Sequence, residues 1–247
     1  MSDHPSQAIF PRSKSNSVRK LLNKLLYPVG YRIERVSRFR RELDVLLQKT
    51  AGRFKFVQIG ANDGVRFDSL YFFVTNHSCS GIVVEPLPDM FERLRTNYAD
   101  YPQIIPINKA IHETARILPL FRVAPAALSR YPGWASGIAS FDREHLIRHG
   151  VSLQDLVAED VLCTPLMELL EETAMLDADL LQVDTEGYDS AILRMIDFSR
   201  FRPRVIKYEQ KSMTAAERAA QIDRLAQHGY RCVAEGPDTT CWRPERR

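Results

Sequence analysis

Phe56-Val57-Gln58-Ile59-Gly60-Ala61-Asn62-Asp63-Gly64, read together with Ile82-Val83-Val84-Glu85-Pro86, decides the fold of this chain. The first run is mostly apolar and β-branched until it meets glycine, the pattern of a buried parallel strand that ends in a tight turn. Two glycines four positions apart are expected to let the backbone pass close to a ligand. The second run is another buried strand and ends on a carboxylate. Glu85 stands 21 residues beyond Gly64, the spacing at which the acid of a nucleotide-binding βαβ unit accepts hydrogen bonds from ribose hydroxyls.

What is missing narrows the nucleotide. A dinucleotide site carries a third glycine for close helix packing beside a pyrophosphate, but here Val65-Arg66-Phe67 follows Gly64. The Gly-x4-Gly-Lys-Ser/Thr phosphate loop is absent too, which disfavours nucleoside triphosphates. A ligand with an adenosine and no phosphate fits best, and S-adenosylmethionine is the common one.

Outward from this stretch the pattern alternates. A strand at 54–59, a helix near 68–75, a strand at 81–85, a helix near 88–98 and a strand at 103–107 call for a parallel sheet with helices on both faces. Residues 112–163 break the rhythm, with a strand at 116–122, the loop 130–137 and a helix near 142–149, and read as an irregular lid or substrate-binding insertion. Thr164-Pro165 reads as a hydroxyl cap and first-turn proline of a helix. Then come Leu180-Leu181-Gln182-Val183-Asp184, a helix from about 188, Val205-Ile206-Lys207-Tyr208-Glu209, a helix opened by the capping box Thr214-Ala215-Ala216-Glu217, and a hairpin of strands near 230–234 and 239–243. Residues 51–247 thus form the catalytic domain.

Bulk properties bound the rest. The 247 residues suffice for one α/β core, and the start of the chain lacks the apolar core of a signal peptide, so the expected location is cytoplasmic. Cys79, Cys163, Cys232 and Cys241 show no Cys-x-x-Cys spacing and are expected as thiols, although Cys232 and Cys241 could face each other across the terminal hairpin. Residues 1–50 hold eleven Lys/Arg against four Asp/Glu. Residues 1–16 read as a disordered tail, and 17–50 as a basic prologue of two helices, able to pack on the main domain or to touch an anionic membrane face or a polyanion. Nucleic acid is not an expected partner, because aromatics are not interleaved with the cations.

In an open α/β sheet, ligands collect at the carboxyl ends of the strands. Those ends are Gly60 to Gly64, Glu85, Asn108 with Lys109 and Ala110, Asp184 with Glu186, and Tyr208 with Glu209. Methyl transfer from a sulfonium to a hydroxyl needs alignment and removal of the hydroxyl proton. Asp184 is the first candidate base, Glu209 the second, with Glu186 and His112 as further catalytic candidates. Asp184 and Glu209 could also hold Mg2+; Asp184 could instead be a helix cap. His145 and His149 share a helix face as zinc ligands would, yet no third ligand is evident and a solvated or substrate-facing surface is expected. Trp134 and Tyr131 could stack on a sugar or cover the core.

These residues resemble the FkbM-type S-adenosylmethionine-dependent methyltransferases. The resemblance rests on Phe56 to Gly64, Val84-Glu85-Pro86, Asn108 to Ile111, Ser136-Gly137-Ile138-Ala139-Ser140, Thr164-Pro165-Leu166, Gln182 to Asp189 and Tyr208-Glu209, in the family's order over roughly residues 54–235. It implies a Rossmann-like class I methyltransferase sheet, mostly parallel with a terminal antiparallel hairpin. It also implies a cofactor held by Gly60, Ala61, Asn62, Asp63, Gly64, Glu85 and Pro86 with Asn108, Lys109 and Ala110, and O-methylation of a sugar, lipooligosaccharide or polyketide hydroxyl. Gln58 departs from the pattern, which usually has an acid there. Rival readings are a nicotinamide-dependent sugar oxidoreductase, for which no Tyr-x-x-x-Lys pair is well placed, and a non-catalytic cofactor-fold binding protein.

Overall fold

The computed structural model describes residues 36–66, 68–114 and 116–244. The chain divides into residues 1–37 and Arg38–Arg247, and every element below belongs to the second unit. The tail 1–16 and the first prologue helix lie outside the described residues.

Seven strands build the main sheet: β1 (Lys55–Ile59), β2 (Ser80–Val84), β3 (Ile104–Ile107), β8 (Leu180–Val183), β9 (Val205–Glu209), β10 (Arg231–Glu235) and β11 (Asp238–Trp242). Their order is β10-β11-β9-β8-β1-β2-β3. All neighbours from β9 to β3 run parallel, and β11 is antiparallel to both β9 and β10. The chain leaves β1 toward β2 and β3 and later returns on the other side through β8, so strand order reverses between β1 and β8. That reversal opens a crevice above the strand ends.

Alternate side chains of each strand serve opposite faces. Val57, Ile82, Val84, Leu181, Val183 and Ile206 pack with helices α5 (Leu166–Glu172), α6 (Asp189–Arg194) and α7 (Ala215–Gln227). Phe56, Val83, Leu180 and Val205 pack with α1 (Arg38–Lys49), α2 (Tyr71–Thr75) and α3 (Pro88–Asn97). Helix α1 buries Phe39, Leu43 and Leu46 in this second cluster, so the domain begins at Arg38 and not at residue 51.

The insertion departs from the irregular lid expected for it. Strands β4 (Ala110–Ile111), β5 (Ile117–Val123), β6 (Ala139–Ser140) and β7 (Leu156–Thr164) form a second sheet in the order β4-β7-β5-β6, with α4 (Arg143–Arg148) beside it. In β7, Glu159-Asp160 interrupts the apolar alternation; its first half is exposed or half-buried, Val161, Cys163 and Thr164 are buried, and a seven-residue pairing with β5 holds it. Arg122 on β5 is buried and forks onto Asp89 of α3, with Nη2 3.0 Å from Oδ2, while Nη1 meets Glu159 at 3.2 Å. A bidentate guanidinium–carboxylate pair of this kind fixes the second sheet to the first.

Three local expectations also change. Helix α2 starts at Tyr71, with Leu70 at its cap position and no side-chain cap, and Asp68 Oδ1 accepts the Leu70 N–H at 2.7 Å just before it. Thr164 ends β7 and Pro165 occupies the cap position of α5, with no hydroxyl cap. Cys232 and Cys241 face each other in the β10–β11 register and are joined by a disulfide, while Cys79 and Cys163 remain thiols. The capping box Thr214–Glu217 is formed in both directions. No helix among the described residues is long and apolar enough to cross a membrane.

Candidate active site

A cavity sits above the reversal point, between the ends of β1, β2 and β8 and the inner side of the second sheet. Gly60, Ala61, Asn62, Glu85, Pro86, Lys109, Ala110, Asp184 and Glu186 line it, as does Trp134 from the insertion. Asp63, Gly64, Asn108, His112 and Glu209 do not.

The glycines work differently from expectation. Gly60 has φ +77°, and a Cβ there would stand 1.7 Å from the Asp184 carbonyl oxygen. Gly64 also has φ +77°, and its Cβ would meet Leu94 at 2.6 Å and Tyr98 at 2.8 Å. Both glycines let the loop pack closely on the protein, and Gly60 also lines the cavity. Asp63 likewise serves the loop, its Oδ1 accepting the N–H groups of Val65 at 3.0 Å and Arg66 at 2.7 Å.

Glu85 is 6 % exposed at the end of β2. Its Oε2 accepts the Asn62 N–H and its Oε1 the Leu87 N–H, each at 2.9 Å. Burial lifts its carboxyl from the usual carboxylate range to about 7, against the lowering pull of those two N–H groups. Asn108 supports this corner from behind, donating to the carbonyls of Glu85 at 2.8 Å and Pro86 at 2.9 Å.

The strand period places Gln58, Gln182 and Lys207 in one row across β1, β8 and β9. Asp68 lies over that row, its carboxyl raised by burial and pulled down by the Leu70 N–H, the Gln58 amide and the Lys207 charge. Gln58, Gln182 and Asp68 all line the cavity. Asp68 carries no signal in the sequence, since an acid after a loop looks like a surface residue; only folding brings it to Gln58.

At the other end of the cavity four carboxylates gather at the ends of β8 and β9. Asp184 is exposed at the end of β8 and opens to the cavity. Although it is exposed, the protein atoms packed near it, and then the charges of Asp189, Glu209 and Glu186, raise its carboxyl to about 8. Asp189 is buried and pushed to about 6, accepting from Thr185 Oγ1 at 3.1 Å and from the Glu209 N–H at 3.3 Å. Glu209 is raised to about 7 by burial and by Glu186 and Asp189, and its Oε2 is buried without a partner. Among the described residues, no group of three possible ligands includes Asp184 or Glu209.

His112 is stacked on Tyr188 at 5.3 Å and meets Phe141 edge-on. Tyr131 is structural, its hydroxyl donating to Asp155 at 2.6 Å. His145 is buried and not on a solvated face, and Glu186, the third group not visible in sequence, stands 3.3 Å from its Nε2.

The sequence profile of the methyltransferase FkbM domain matches residues 58–232. The chain belongs to the FkbM methyltransferase family. No curated protein matches it by sequence. Similar solved structures include the METTL16 MTase domain, at 13% identity over 93% of this chain and 80% of that one, with a TM-score of 0.47. Another is a precorrin-6y C5,15-methyltransferase from Geobacter metallireducens GS-15, at 14% identity over 85% of this chain and 92% of that one, with a TM-score of 0.38.

The cofactor of an FkbM methyltransferase is S-adenosylmethionine, and the cavity residues fit it. Gln58 Oε1, Gln182 Oε1 and Asp68 Oδ2 are buried acceptors without a hydrogen-bond partner, and such groups are costly unless a donor arrives. A cationic, donor-rich methionine end supplies those donors. Glu85 retains unused lone pairs for a ribose diol at the β2 side.

Proposed function

We propose that this FkbM methyltransferase methylates a hydroxyl oxygen of a sugar, lipooligosaccharide or polyketide-type acceptor. S-adenosylmethionine supplies an electrophilic methyl group on a sulfonium. Glu85 holds the ribose, Asp68 with Gln58 and Gln182 holds the methionine end, and Asp184 takes the proton that the acceptor hydroxyl must lose. Trp134, on the insertion side of the cavity, offers a flat apolar face for the acceptor.

The observation that carries this reading is Asp184 itself, open to the cavity and crowded by Asp189, Glu209 and Glu186. Crowded carboxylates retain a proton readily, which is what deprotonating a weakly acidic hydroxyl asks of them.

Transfer of labelled methyl from S-adenosylmethionine to hydroxyl-bearing glycans, lipooligosaccharides and polyketides tests the proposal. Asp184→Asn is expected to bind the cofactor as wild type does, with methyl transfer reduced by about 100-fold or more. Unimpaired transfer in Asp184→Asn, or label appearing only on nitrogen or carbon, would overturn it.

A further inference from the structure

We propose that His145, His149 and Glu186 form a binding site for one divalent first-row transition ion, with Zn2+ as its reference occupant, in the wall of the methyl-transfer cavity. One ligand atom from each residue lies within 4.8 Å of the others. His145 Nε2 and Glu186 Oε2 are 3.3 Å apart. Two ligands bound at 2.0–2.1 Å and separated by a tetrahedral angle stand about 3.3 Å from each other, so this pair already has the spacing of a tetrahedral zinc site.

Each ligand is held in place. His145 projects from α4 and is 2 % exposed. His149 caps the same helix one turn later, and its Nδ1 is 2.8 Å from the His145 carbonyl oxygen. That bond places the ring proton on Nδ1 and leaves Nε2 with a free lone pair, the support that metal-bound histidines usually have. The two rings lie 4.4 Å apart. Glu186 arrives from the β8–α6 loop with φ +49°, a left-handed conformation that a glutamate seldom adopts. Its carbonyl is tied down by Ser140 Oγ at 2.9 Å. Two imidazoles and one carboxylate suit zinc, iron, cobalt or nickel and not Mg2+, which prefers oxygen ligands in an octahedron.

Three protein ligands leave a fourth position for water or an oxygen of the acceptor. Glu186 lines the cavity, and so does Trp134, which meets the His149 ring edge-on at 6.5 Å. That role for the open position rests on the methyltransferase reading above; the ion site itself does not.

Tag-free, chelator-stripped full-length protein is titrated with Zn2+ against a chromophoric chelator, and with Co2+ while visible absorption is recorded. S-adenosylmethionine binding is measured calorimetrically on the same samples. One ion per chain is expected, with the intense visible bands of low-coordinate cobalt. His149→Ala and Glu186→Gln should each weaken Zn2+ binding by more than about 10-fold, the lower bound for losing even an outer partner of a metal ligand. Zn2+ should raise the melting temperature of wild type and not of His149→Ala, whose partly exposed position spares the core. Absent stoichiometric binding, or full affinity kept by both folded variants, overturns the site. Cofactor binding without zinc binding overturns the ion site alone. Zinc binding without cofactor binding supports the ion site and removes the methyltransferase reading.

Discussion

At the scale of single residues, Glu85 and Asp68 bracket the cofactor cavity and answer to different physics. Glu85 is buried and raised to about 7, so in the free protein it carries a proton over much of the range between its ordinary value and neutrality. A ribose diol donates two hydrogen bonds and favours the ionised form. Cofactor binding should therefore release a proton and tighten as pH rises, by about tenfold from pH 6 to pH 8. For stability the sign is opposite: a carboxyl raised on folding stabilises the native state below its unfolded value and loses that contribution as pH climbs to about 7. Isothermal titration across this range in wild type, Glu85→Gln and Asp68→Asn separates the two residues. Glu85→Gln should flatten the profile, and Asp68→Asn should lower affinity while keeping its slope. An unchanged slope in Glu85→Gln would remove Glu85 from the ribose role. The spacing of Glu85 from Gly64 was legible in sequence, and the pairing of Asp68 with Gln58 was not, because nine residues stand between them and no pattern marks their approach.

At the scale of elements, the contact between β1 and β8 governs the site. Asp184 donates its N–H to the Ile59 carbonyl at 2.9 Å, and its own carbonyl lies where a Cβ on Gly60 would fall. Gly60→Ala must push the two strand ends apart and also force a positive φ onto a residue with a side chain. It should cost more than about 3 kcal/mol in urea unfolding and abolish cofactor binding. A folded, cofactor-binding Gly60→Ala would show that the two strand ends separate readily. Strand and helix identity in the main sheet followed from apolar runs and capping residues. β7 did not, since two adjacent acids break its apolar alternation and the strand is stabilised by its partner β5.

Across the whole molecule, sheet order separates cavity from hairpin. The disulfide between Cys232 and Cys241 closes a short loop at the β10–β11 edge, while the cavity stands at the ends of β1, β2 and β8. In the chain-entropy account a loop of about ten residues contributes about 2–3 kcal/mol. Replacing both cysteines with serine should lower stability by that order in denaturant unfolding and leave cofactor affinity unchanged; a fall in affinity would show that the hairpin reaches the site.

The sequence alone determined the parallel sheet, the glycine turn with its strand-end acid and the family, because buried strands, glycine turns and strand-end acids are local patterns that survive without a partner in view. Tertiary structure alone decided which acids meet, that His145 and His149 acquire Glu186 as a third ligand, and that the insertion is a sheet. Those outcomes depend on contacts between residues far apart in the chain, and no local pattern of hydrophobicity or spacing encodes which distant side chains converge.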